Sequence, residues 1–303
     1  MSKHSKARLE LVSRFRGTGV ALVTPFQKNG SIDFKSLEKV IDHVIMGGVE
    51  YVVSLGTTGE TPVLSKEEKK SLVSYTVEKT NERVPVVVGI GGNNTREVIE
   101  TFKQYDLNGV DAILSVSPYY NKPNQRGILE HYKAIGSESP LPIIVYNVPG
   151  RTSSNISAET ILQLASEVKN IFAVKEASGN FDQILKIIKH KPNGFLVISG
   201  DDLITLPIIA SGGDGVISVI ANALPKEFSE MTRQALAGNF LEARKLFNKS
   251  DEFIRLIFAD GNPAGVKCLM EMMEICAAHV RLPLVNVNVQ IEKALAEQLN
   301  LLK

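Results

Sequence analysis

Lys175 closes an apolar run, Ile171-Phe172-Ala173-Val174, and is followed by Glu176-Ala177-Ser178-Gly179. A lysine held near an apolar interior loses hydration, which disfavours its charged form. A neutral amine can attack a ketone to form a Schiff base. The protonated imine nitrogen draws electrons from the neighbouring carbon, so an enamine forms that attacks an aldehyde or, in reverse, departs in a retro-aldol cleavage. The plainer alternative is a lysine whose stem follows the strand while its head reaches solvent or pairs with a carboxylate. Buried lysines are rare but not always functional, so position alone leaves both readings open.

A keto acid held by such a lysine needs an anchor for its carboxylate. The run Gly56-Thr57-Thr58-Gly59-Glu60 offers consecutive backbone N–H groups and two hydroxyls where a strand turns toward a helix; taken alone it also reads as an ordinary glycine-containing turn. Making and breaking the imine requires a proton shuttle, and a hydrogen-bonded tyrosine both donates and accepts. Tyr120 and Tyr146 are the candidates, against the alternative of amphipathic core residues. Arg151, just past Pro149-Gly150, carries a planar fork that matches a second carboxylate, or else a surface ion pair.

These residues lie at the ends of short β-rich apolar runs, at 19–26, 51–56, 84–90, 112–119, 142–148, 171–177, 195–201 and 215–220. Between them stand stretches such as 36–48, 66–79 and 96–109, whose apolar residues return every three or four positions, as in crossover helices. Nearly unbroken apolar strands alternating with helices predict a parallel sheet covered by helices. Eight units favour an α/β fold of the (β/α)8 TIM-barrel type, with a doubly wound open sheet as the alternative, because periodicity cannot show that the first and last strands meet. In such barrels the chemistry sits at the C-terminal strand ends, where the loops carrying 56–60, 117–121, 146–152, 175–179 and 199–202 converge. Past residue 238 the strand signal stops. We therefore divide the chain into a barrel over 1–238, opening on a short, loose, basic lead-in, and a C-terminal helical annex of three helices over 239–303, with Asn262-Pro263 suited to a helix start.

Composition narrows the function classes. With 44% hydrophobic and 22% charged residues the 303-residue chain has material for a large core, and its formal charge of +1 lacks the basic excess that nucleic acid selects for. No run reaches the roughly 18 apolar residues a membrane span needs. Cys268 and Cys276, placed on one helix, stand about 12 Å apart. They are expected as reduced thiols of a cytoplasmic protein. The five histidines, His4, His43, His131, His190 and His279, show no paired ligand spacing. In the run 89–94 Asn94 replaces the third glycine of a dinucleotide fingerprint, which disfavours NAD. The run 211–216 reads as a glycine turn or small anion site, and 66–70 as a solvated helix face.

In order and spacing, GTTGE (56–60), SPYYNKP (117–123), YNVPGRT (146–152) and KEASG (175–179) resemble the family of dihydrodipicolinate synthases and N-acetylneuraminate lyases over nearly the whole chain. The resemblance implies a Schiff base between Lys175 and pyruvate, with the carboxylate received by the turn at Gly56, Thr57 and Thr58. It implies a proton relay of Thr57, Tyr120 and Tyr146, with Tyr120 supplied by a neighbouring subunit. It further implies that Arg151 meets the carboxylate of L-aspartate 4-semialdehyde, that Gly200 and Ile217 line the pyruvate end, and that the product cyclises toward lysine and diaminopimelate. The expected assembly is a homotetramer, a dimer of dimers, and the expected cofactor is none beyond the lysine imine.

Many members of this family bind lysine as an inhibitor at a subunit interface, and the matching positions are Thr61, Pro62, Lys66, Lys69, Asn93, Glu97 and Tyr119. Lys66 and Lys69 depart from the family pattern: two cations facing a cationic effector disfavour it, so weak or absent inhibition is expected. The YNVPGRT string favours the synthase over a sugar-acid lyase of the same fold. A non-catalytic barrel is the third reading, weakened by the complete set Lys175, Tyr146, Tyr120 and Thr57.

Overall fold

The computed structural model describes residues 10–301. Eight strands form: β1 (Gly17–Ala21), β2 (Tyr51–Ser54), β3 (Val86–Gly89), β4 (Ala112–Val116), β5 (Ile143–Asn147), β6 (Ile171–Glu176), β7 (Leu196–Ser199) and β8 (Gly215–Ser218). Each lies within or overlaps one of the predicted apolar runs, and all neighbours pair in parallel. β8 returns to β1 in the register Gly17↔Gly215 to Val20↔Ser218, which closes the barrel and excludes the open sheet. The closure depends on Gly215, since a Cβ there would stand 2.0 Å from the Gly17 carbonyl oxygen at a φ of +147°. Residues 211–214 are thus the turn that leads into the closing strand, and 215–216 already belong to it.

Side chains alternate between two cores. Val53, Val87, Leu114, Ile144 and Ile198 point into the barrel, while their neighbours Val52, Val88, Ile113, Ile143 and Val197 pack against the surrounding helices. The helices begin where local chemistry permits. Asp33, Ser65, Asn94, Asn124, Ser157 and Asn180 each accept from an early amide of the helix that follows, satisfying donors that the helix cannot.

Several expectations need correction. The described part of the lead-in is not loose: Phe15 is fully buried inside the barrel, its ring 5.3 Å from that of Tyr51 and 5.2 Å from that of Phe172, closing the end opposite the polar loops. Earlier lead-in residues, His4 among them, lie outside the described residues. The run 66–70 is more than a solvated face, because Glu68 completes a capping box with Ser65 and pairs with Arg281. Cys268 and Cys276 do not share a helix: Ala264–Met272 ends before Cys276, and both thiols are free and buried.

Beyond the barrel lie the helices Phe240–Ala259, Ala264–Met272 and Val289–Asn300. They do not simply cover the outside. Lys267 and Arg281 reach across to the loop after β2. Among the described residues no helix is long and apolar enough to cross a membrane, and no group of three or more His, Cys, Asp or Glu side chains could hold a metal ion.

Candidate active site

Strands β5 and β6 set the centre of the site. Tyr146 and Lys175 are register partners, both nearly buried, and Lys175 Nζ lies 4.4 Å from the centroid of the Tyr146 ring. The strand ends that carry them are tied together immediately beyond. Asn147 Nδ2 donates to both Glu176 carboxylate oxygens at 3.1 and 3.0 Å, Ser178 N–H donates to Glu176 Oε1 at 2.8 Å, and Ile156 N–H donates to Asn147 Oδ1 at 2.9 Å. Burial pushes the Glu176 carboxyl above its ordinary value, while these donors oppose the shift.

Gly200, at the end of β7, makes room for the lysine. A Cβ there would stand 3.1 Å from Lys175 Cε and 2.6 Å from the Ala177 methyl. Ile217 belongs to the buried interior layer with Tyr146 and Ile198. Of the two predicted residues of the pyruvate end, Gly200 therefore lies against Lys175 and Ile217 lies in the barrel interior.

Tyr146 also lines a cavity of about 320 Å³, whose walls include Gly56 and Thr57 from the loop after β2, Val116 from β4, and Val148 and Arg151 after β5. Arg151 is exposed on the single-turn helix Pro149–Thr152, a position from which its fork is free to meet a ligand. The run 56–60 folds as a 3-10 turn over Thr57–Gly59, with the Gly59 and Glu60 amides bonded back to Gly56 and Thr57 oxygens. The first amides of such a turn have no partner within it. Thr58 is buried and Thr57 half-buried.

At the rim, Thr61 Oγ1 donates to the carbonyls of Leu55 and Gly56, and Asn93 Nδ2 donates to the Tyr119 carbonyl at 3.3 Å. Pro62, Lys69 and Tyr119 line the cavity with Thr61, whereas Lys66 and Glu97 are exposed outside it. Burial and the neighbouring Lys66 charge hold the Lys69 ammonium below its ordinary value. Tyr120 is not brought to the cavity of its own chain. It is 88% exposed, with a φ of +74° that non-glycine residues rarely adopt.

Four residues tied to the site have no role there assigned from sequence: Glu60, quoted only as the end of the turn motif, Asn262, read only as a helix start, and Lys267 and Arg281, which were not singled out. Asn262 Nδ2 donates to Thr58 Oγ1 at 3.1 Å, Lys267 Nζ donates to Glu60 Oε1 at 2.5 Å, and the Arg281 backbone N–H donates to Glu60 Oε2 at 2.9 Å. The available signal was a lysine inside the apolar stretch AGVKCLM (264–270).

A closed barrel with a buried lysine facing a tyrosine, together with a hydroxyl-bearing turn and an arginine, is an arrangement able to carry lysine-centred carbonyl chemistry of the kind a lyase performs. The chain belongs to the dihydrodipicolinate synthetase family, which matches residues 14–302. It is 53% identical to the 4-hydroxy-tetrahydrodipicolinate synthase of Parabacteroides distasonis over 270 residues, 89% of this chain and 91% of the relative. It is 50% identical to that of Phocaeicola vulgatus over 96% of this chain and 98% of the relative. The crystal structure of dihydrodipicolinate synthase from Aquifex aeolicus superimposes with a TM-score of 0.92 at 40% identity, covering 95% of this chain and 98% of that one. The activity is that of a 4-hydroxy-tetrahydrodipicolinate synthase, a lyase of lysine biosynthesis.

Proposed function

We propose that the chain condenses pyruvate with L-aspartate 4-semialdehyde through a Schiff base on Lys175. The observation that carries this reading is the buried Lys175 amine set against the Tyr146 ring. The amine adds to the pyruvate ketone carbon and water leaves, giving a protonated imine; loss of a methyl proton then gives the enamine. Its carbon attacks the aldehyde carbon, forming the new C–C bond as the aldehyde oxygen takes a proton to become a hydroxyl; the semialdehyde's own amine then adds to the imine carbon, closing the ring and expelling the Lys175 amine. The turn at Gly56, Thr57 and Thr58 receives the pyruvate carboxylate, with Gly200 and Ile217 shaping that end, and Arg151 takes the carboxylate of the second substrate. Thr57, Tyr146 and Tyr120 move the protons.

Tyr120 is exposed and does not line the cavity of its own chain, which supports its use by a neighbouring subunit and hence an oligomer, a homotetramer built as a dimer of dimers, acting in the cytoplasm. The lysine imine is the only covalent aid the mechanism requires.

Borohydride reduction in the presence of pyruvate tests the reading. A pyruvate-dependent mass gain on the peptide carrying Lys175, absent from Lys175→Ala, is the expected result. No adduct on the wild-type chain would overturn the mechanism.

A further inference from the structure

The turn that precedes Glu60 is bracketed by two non-glycine residues in the left-handed region, Leu55 at φ +56° and Glu60 at φ +55°. Such a conformation persists only where the surroundings over-determine it. The Glu60 side chain shows what does so. Its carboxylate takes Lys267 Nζ on one oxygen at 2.5 Å and the Arg281 amide on the other at 2.9 Å. Lys267 and Glu60 side chains are wholly inaccessible to solvent, and Lys267 also donates to the His279 carbonyl at 2.8 Å and lies 4.4 Å from the Phe26 ring centroid.

A second contact comes from the same annex segment, where Asn262 Nδ2 donates to Thr58 Oγ1. The bond ties the Thr58 hydroxyl to the annex. Removing two charges from water offsets most of the Coulomb attraction between them, so a buried ion pair adds little net stability over an apolar pair of similar size. What it adds is direction, since annex donors hold both Glu60 carboxylate oxygens.

We propose that Lys267 and Asn262 are positioning residues for the pyruvate-carboxylate turn: Lys267 fixes the turn through Glu60, and Asn262 holds the Thr58 hydroxyl in place. This rests on the assignment of the turn to pyruvate given above.

The test is steady-state kinetics of Asn262→Ala and of the double variant Lys267→Met/Glu60→Leu, which removes both charges together so that neither is left buried alone. The expected result is a pyruvate KM raised about tenfold in the double variant and about threefold or more in Asn262→Ala, with the semialdehyde KM and kcat changed far less. Borohydride trapping should then need correspondingly higher pyruvate. Folded variants with wild-type pyruvate KM, or with both substrate KM values raised equally, would overturn the proposal; should the double variant fail to fold, Asn262→Ala alone decides it by the same criterion. Wild-type trapping in the same series separates the two ideas. If the wild type forms no adduct the functional reading fails, whereas a wild-type adduct with unaltered variants sinks only the positioning role.

Discussion

Tyr146 stands directly across from Lys175 because the β5–β6 ladder slips by one residue. Ile143 pairs with Ile171, but Ile144 pairs with Ala173, leaving Phe172 as the extra residue of a bulge. Phe172 and Ala173 both lie in the interior layer, while Ile171 and Val174 pack outward. Strict alternation from Phe172 would have sent Val174 inward and Lys175 out among the helices. The slip reverses the phase and turns the lysine into the barrel mouth.

Tyr146→Phe keeps the ring against which Lys175 lies and removes only the hydroxyl. On the proton-relay reading kcat should fall by about 10²–10³-fold, with thermal unfolding unchanged and pyruvate still trapped on Lys175. A kcat within a few-fold of wild type would take Tyr146 out of the relay.

Free lysine in the millimolar range should leave the rate nearly unaltered. Lys66 and Lys69 begin one helix beside the rim residues Thr61 and Tyr119, and the Lys69 ammonium is already disfavoured by burial and by Lys66. A further cation would meet the same repulsion. Half-inhibition in a millimolar lysine titration would contradict this.

Acid should weaken the tie between the annex and the helix Lys66–Thr80 that follows the β2 loop. The Arg281 guanidinium clamps Glu68 through both nitrogens and holds its carboxyl down at about 2, against an ordinary 4.5. Because the folded-state value is depressed, the stabilisation is complete above pH 4.5 and is lost as the pH falls toward 2. The pair is partly solvated, with side chains 20% and 29% exposed. Glu68→Gln should therefore cost roughly 1–2 kcal/mol near neutrality, after solvent screening. Urea unfolding across the acid range should show the two proteins converging at low pH; a constant difference would assign the loss to packing.

Much of the candidate site was legible in the chain because its parts sit in short local motifs. The turn 56–60, Tyr146, Arg151, Lys175 and Gly200 each lie at or just past the end of a strand signal, and a barrel sends every such segment to the same end. Lys267 and Asn262 were not legible, since each acts more than 200 residues away from its partner. Nothing local to either predicts that pairing. Tyr120 was legible as a candidate, yet within its own chain it is exposed and does not line the cavity.

By itself the sequence determined the eight strand-and-helix units, the polar loops at one end of them, and the residue types able to form and protonate an imine. Periodicity and turn chemistry encode these locally. Only the tertiary structure decided that β8 meets β1, that a bulge turns Lys175 inward, and that the annex holds Glu60 and Thr58. Those outcomes depend on strand register and on contacts between distant segments, which are settled when the whole chain packs.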